Sequence, residues 1–142
     1  MNTIIINAEG LVAGRLASKI AKEVIKGENV IVFNASKAII VGKESAIMPK
    51  YSQRVNARVL SNPLYGPKYH RIPSKMLRRM VKGMLPNKSR TAERLIKQLE
   101  IFNDTPKEID VSKAITYSET KCNDKHEFMY LEDLAKKLGG NW

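Results

Sequence analysis

The chain has 142 residues, of which 43% are hydrophobic, with 25 Lys or Arg against 14 Asp or Glu and a formal net charge of +11 at pH 7. That length and composition fit one domain with a real core rather than a disordered tail, and the longest apolar run, Val30 to Phe33, is far short of a membrane span. The single cysteine, Cys122, excludes an internal disulfide and suits a reducing compartment, so a cytoplasmic location is expected.

Thr3 to Ile6 is a β-branched run before the turn residues Asn-Ala-Glu-Gly at 7–10, which predicts a short strand. From Gly14 the period changes. Leu16, Ala17, Ile20, Ala21 and Val24 recur at helical spacing, with Gly27 as the stop. Val30 to Phe33 then reads as a strand buried on both faces, and strand, helix, strand within about 30 residues is a βαβ unit with a parallel sheet. Gly14 is expected to let the helix start pack closely on that sheet. A further short strand is expected over 38–41.

Residues 45–60 are helical by pattern, with Met48, Tyr51, Val55 and Val59 as the apolar stripe and Lys50, Arg54 and Arg58 at i, i+4, i+8. Pro49 sits awkwardly there unless it lies in a first turn or at a kink. Three prolines and a glycine make 61–73 a loop. Ser74 to Leu85 is the clearest helix in the chain, opened by Pro73 and closed by Pro86. Ser89 to Leu99 reads as another helix, Ala114 to Tyr117 as a strand, and Leu131 to Leu138 as a final amphipathic helix stopped by Gly139-Gly140.

The charge is not evenly spread. No acidic residue occurs between Glu44 and Glu93, a window that holds eleven Lys or Arg. Residues 101–142 are by contrast net acidic. Such crowding of like charge is relieved by a polyanion, and nucleic acid releases counterions as each phosphate is neutralised. On a helical wheel Lys75, Arg78, Arg79 and Lys82 fall within an arc of about 100°, opposite Met76, Leu77, Met80, Val81 and Met84. Both Arg78 and Arg79 are therefore expected to point away from the core.

The preceding loop interleaves rings and cations: Tyr65, Lys68, Tyr69, His70 and Arg71. Rings stack on unpaired bases and Arg lies flat on a base or forks onto phosphate, which favours folded RNA over a smooth duplex. The candidate RNA-binding residues are Arg15, Lys50, Arg54, Arg58, Lys68, Tyr69, His70, Arg71, Lys75, Arg78, Arg79, Lys82, Lys88 and Arg90.

Catalytic and cofactor chemistry is not indicated. Gly-Leu-Val-Ala-Gly at 10–14 matches neither nucleotide-binding glycine motif. Cys122 and His126 are only two ligands, too few for a metal site. No catalytic residue, cofactor or small-molecule substrate is expected, and no membrane partner: the helix over 74–85 lacks the aromatic anchor of an interfacial helix.

Gly14-Arg-Leu-Ala-Ser18, then Val-Phe-Asn-Ala-Ser-Lys at 32–37, Arg71-Ile-Pro-Ser-Lys-Met-Leu-Arg-Arg79 with Lys82-Gly-Met-Leu-Pro86, and Leu99-Glu-Ile-Phe before Asn-Asp-Thr-Pro at 103–106 resemble the thirteenth large-subunit ribosomal protein family. The Gly66-Pro67 arrangement is similar to its archaeal and eukaryotic branch. Two positions depart from the family pattern, Lys82 where Arg is usual and Asn87 where His is usual; Lys keeps the charge but loses the bidentate fork.

The resemblance implies an α/β fold, three layers α/β/α around a small mostly parallel sheet, with the basic helices and loop projecting toward RNA. It implies a structural constituent of the large ribosomal subunit that binds large-subunit ribosomal RNA early in assembly, beside neighbouring ribosomal proteins. Residues 1–42 and the terminal helix would form the folded base and 45–100 the RNA-binding part. Lys50, Arg54 and Arg58 would track one backbone and the 75–82 cations another. In the acidic C-terminal segment, 104–142, the 104–133 region would face proteins or solvent. The alternative is a free regulatory protein that uses the same surface on messenger RNA.

Overall fold

The computed structural model describes residues 2–86, 90–107, 109–123 and 125–142; Lys88 and Asn87 lie outside the described residues. The first strand, β1 (Thr3–Asn7), is followed by helix α1 (Ala13–Ile25) and strand β2 (Asn29–Phe33). β1 and β2 pair in parallel, Thr3 opposite Asn29 through Asn7 opposite Phe33. The expected βαβ unit is present. Leu16, Ala17, Ile20, Ala21 and Val24 are all buried, and α1 ends where Gly27, at φ +92°, takes the left-handed conformation that favours glycine. Gly14 does not behave as expected. A Cβ there would meet no atom within 4 Å, so close packing on the sheet is not its role.

Strand β3 (Ile39–Val41) forms where expected but joins a different sheet. It pairs antiparallel with β5 (Phe128–Tyr130), 89 residues away, and a single parallel bridge from Val12 to Ile39 ties it to the start of α1. Helix α2 (Glu44–Asn56) stops four residues before the expected end. Pro49 lies inside it, and the buried side chains are Ile47 and Tyr51; Met48 and Val55 are half-buried and Val59 is exposed. Without a continuous apolar stripe beyond Val55, nothing holds 57–60 in a helix.

Helix α3 (Pro73–Met84) matches the expectation closely. Pro73 occupies its first turn, and Met76, Leu77 and Val81 are buried, each such side chain contributing about 1.5–3 kcal/mol. Met84, expected inward, is exposed. Helix α4 (Arg90–Lys97) stops two residues before the expected Leu99, because the chain changes period there and forms strand β4 (Leu99–Ile101); the expected start at Ser89 lies outside the described residues. β4 pairs in parallel with β2, giving the sheet order β1-β2-β4. The strand expected at 114–117 is reduced to one parallel bridge, Ile6 to Ile115, with Ile115 N–H donating to the Ile5 carbonyl at 2.8 Å. Helix α5 (Leu131–Lys137) closes the chain at Gly139, as expected.

The fold is a small α/β unit around a mostly parallel sheet. Helices α1 and α3 pack on each other over the face carrying Ile6, Val30, Val32 and Leu99, and these side chains form one buried cluster with Leu16, Ile20, Met76, Leu77, Leu131 and Leu134. On the far face Thr3, Ile5, Ile31 and Glu100 are half-buried or exposed, while Phe33 at its end is buried. At the strand ends Asn34, at φ 59°, donates from its amide to Asn7 Oδ1 at 3.2 Å and accepts from Thr105 Oγ1 at 2.9 Å. Those two bonds stabilise a left-handed backbone that Asn tolerates better than most residues.

Candidate nucleic-acid interface

Charge segregation in the sequence becomes segregation in space. Among the described residues the ion pairs are Lys19–Glu119, Lys26–Glu23, Lys37–Glu9, Lys113–Asp110, Lys136–Glu132 and Lys137–Glu44. None of them involves a basic residue of 50–90. The paired carboxylates are all matched with lysines elsewhere, while Lys50, Arg54, Arg58, Lys68, Arg71, Lys75, Arg79, Lys82 and Arg90 are all exposed.

Helix α3 organises this surface. Its buried side holds Met76, Leu77 and Val81 in the core, which turns Lys75, Arg79 and Lys82 outward. An open groove of about 880 Å³ runs along it, lined by Lys68, His70, Lys75, Arg78, Arg79 and Lys82 on its charged side and by Ile96 and Ile101 on its apolar side. A smaller one of about 440 Å³, lined by Arg54, Pro67, Tyr69 and Arg79, lies toward α2; Arg79 and Gly83 border both.

Tyr69 is the hinge between α2 and α3. The guanidinium carbon of Arg79 is 4.6 Å from its ring centroid and that of Arg54 is 6.0 Å away. Tyr51 meets the same ring edge-on at 6.0 Å and 72°. Arg79 is also held by donating from Nη1 to the Lys68 carbonyl at 2.7 Å. Burial raises the pKa of the Tyr51 phenol, with Tyr69 adding to the rise and Arg54 opposing it. Tyr69 is therefore half-buried and engaged with cations, and the freely exposed ring of the loop is Tyr65, at 85% exposure.

Arg78 departs from the expectation. It is half-buried, and its guanidinium donates to the carbonyls of Leu99 and Ile96 instead of facing outward with Lys75 and Lys82. The wheel is right about the angle; what it lacks is the chain that folds over that edge of the helix. Arg15 is exposed on the first turn of α1 and borders neither groove, and Arg58 follows the end of α2. Gly83, Ile96 and Ile101 border the large groove without having been singled out by the sequence. Only their spacing from the α3 cations connects them, and that spacing is set by the tertiary fold.

A family model described as ribosomal protein L13 matches residues 1–108. The chain is 37% identical over 139 residues to the large ribosomal subunit protein uL13 of Methanosphaera stadtmanae, covering 97% of this chain and 98% of that protein. It is 33% identical to the protein of the same name from Methanocaldococcus jannaschii, with the same coverage. To that of Saccharolobus solfataricus it is 32% identical, over 96% of this chain and 92% of the other.

Proposed function

This chain belongs to the ribosomal protein L13 family, and from that premise we propose that it is a structural constituent of the large ribosomal subunit, not an enzyme, that holds large-subunit ribosomal RNA on the surface built by α2, the 61–73 loop and α3. The observation that carries this reading is the row of exposed cations over 50–90 with no carboxylate partner among the described residues. Crowded like charges destabilise the free protein, and phosphate contact removes that cost.

Lys75, Arg79 and Lys82 on α3 follow one phosphate backbone; Lys50 and Arg54 on α2 follow a second. Tyr69 sets the distance between the two rows. Lys68 and His70 line the large groove beside the α3 row, as does Arg78, which ties α3 to α4 and β4; Arg71 stands apart, its guanidinium beside Gly139. The site of action is the cytoplasmic ribosome, with other large-subunit proteins as neighbours. No helix among the described residues is long and apolar enough to cross a membrane.

The test is gradient sedimentation of a lysate, probing each fraction for the chain before and after a salt wash. Co-migration with the large subunit through moderate salt is expected; a chain found only in the light fractions refutes the assignment and favours action on another RNA. For purified RNA, about eight phosphate contacts predict a log–log salt slope of about −6 to −7. Lys75→Glu with Lys82→Glu is expected to make that slope shallower while leaving the fold intact, since both side chains are exposed.

A further inference from the structure

The larger groove is built for more than phosphate. Its volume of about 880 Å³ far exceeds what an oxyanion fills and lies within the roughly 300–1,000 Å³ of sites that enclose organic ligands. Lys75, Arg79 and Lys82 line its charged side, yet Ile96 and Ile101 line it too, both half-buried. A paired RNA helix offers a convex backbone and a shallow minor groove, and neither presses into a concavity with an apolar wall. An unstacked base does. Its flat face sheds water against aliphatic side chains while its charged sugar-phosphate ends stay at the rim.

We propose that this groove receives a nucleotide extruded from the RNA, with the base against Ile96 and Ile101 and the flanking phosphates on Lys75 and Lys82. The proposal rests on the RNA-binding reading above and adds which element of the RNA the groove takes. Gly83 supplies the means to test it. It borders the groove, and a Cβ placed on it meets no atom within 4 Å. A side chain at that position therefore starts into open space, and it is also more favourable than glycine in a helix.

The experiment measures binding of the full chain to two single strands of equal length and charge, an oligouridine and the same backbone with every base removed. The base-bearing strand is expected to bind about five-fold tighter or more, as base contacts contribute beyond phosphates. Gly83→Leu is expected to abolish that preference, with the abasic affinity unchanged and the helical circular dichroism retained. Equal affinity of the two strands for the parent chain, with a steep salt slope kept for both, overturns the groove proposal and leaves RNA binding intact. A base preference that survives Gly83→Leu also overturns it, by placing the base elsewhere on the surface. Failure of both strands to bind overturns the groove proposal, and the RNA-binding reading falls with it only where the chain also fails to co-migrate with the large subunit.

Discussion

Arg78 and Leu99 are joined by a hydrogen bond of 3.2 Å from the Arg78 Nη1 to the Leu99 carbonyl, and the other arm of the same guanidinium donates to the Ile96 carbonyl at 2.9 Å. One side chain of α3 thereby satisfies a carbonyl of the last turn of α4 and the first carbonyl of β4. A helix C-terminus leaves carbonyls without partners and attracts a cation, so both the geometry and the charge favour this site. Arg78→Ala is expected to lower the unfolding free energy by about 2–3 kcal/mol, since the bonds are charge-assisted and half-buried. Arg78→Lys is expected to recover little, because an ammonium lacks the fork. Arg79→Ala, an exposed position, is expected to cost about 1 kcal/mol or less. Urea unfolding midpoints decide it: equal losses at 78 and 79 would contradict the division of roles.

Tyr69 separates ring from hydroxyl in its effect. The cations of Arg54 and Arg79 approach its ring, and no hydrogen bond of its hydroxyl contributes to that arrangement among the described residues. Tyr69→Phe is expected to leave RNA affinity within about twofold, because the ring quadrupole is retained. Tyr69→Leu removes two cation–ring contacts of about 0.5–1 kcal/mol each and is expected to weaken binding about five-fold. Anisotropy titration with ribosomal RNA fragments measures both.

Two glycines are expected to respond in opposite directions. Gly14 lies in the first turn of α1 with open space around it, so Gly14→Ala is expected to stabilise by about 0.5–1 kcal/mol. A Cβ on Gly140 would fall inside contact distance of the Arg71 carbonyl oxygen and 3.0 Å from that of Ala135. Both partners are backbone, which cannot swing away. Gly140→Ala is expected to destabilise by about 1–3 kcal/mol. Thermal melting of the two variants gives the signs directly.

The Lys19–Glu119 pair, at 2.6 Å, joins α1 to the short turn at 118–120. Its hydrogen bond, and then its charge attraction, hold the Glu119 carboxyl below the ordinary value and raise the Lys19 ammonium. A depressed carboxyl contributes stability above its unfolded pKa and loses it as pH falls through the folded value. The raised ammonium contributes below its unfolded pKa and loses it as pH rises through the folded one. The pair therefore acts across the neutral range and fails first in acid. An NMR titration of Glu119 is expected to show a midpoint below that of a free glutamate, and Lys19→Met is expected to return it upward. An unmoved midpoint would refute the pairing in solution.

Legibility followed the range of the interaction. Leu16 to Val24 and Met76 to Val81 announce their helices because the burial pattern repeats every turn, and the alternation of charge with it exposes the basic face of α3. The pairing of Ile39–Val41 with Phe128–Tyr130 carries no such local signal: each strand is three residues long, and 86 residues lie between them. Leu99 continues the helical stripe of Leu95 and Ile96, so only its parallel pairing with Val30 reveals a strand. Arg78 misleads for the same reason. Its wheel position is cationic and outward, and the carbonyls that claim it come from residues 18 and 21 positions later. Within the interface the charges were readable, whereas the apolar wall at Ile96 and Ile101 exists only once α4 and β4 are folded against α3.

Helix α3 has no capping side chain of its own at Ile72, and the Ser74 N–H is satisfied instead by Asn103 Oδ1 at 2.9 Å. The apolar partner of this helix, α1, precedes it in the chain, whereas Asn103 at its start and the Ile96 and Leu99 carbonyls along its side follow it. On a translating ribosome the basic helix thus emerges after its apolar partner but before the polar groups that fix its start and its side. It acquires its final alignment only after position 103 has cleared the exit tunnel and β4 has docked beside β2. The nascent chain consequently fixes its basic helix late, in the same event that completes the β1-β2-β4 sheet.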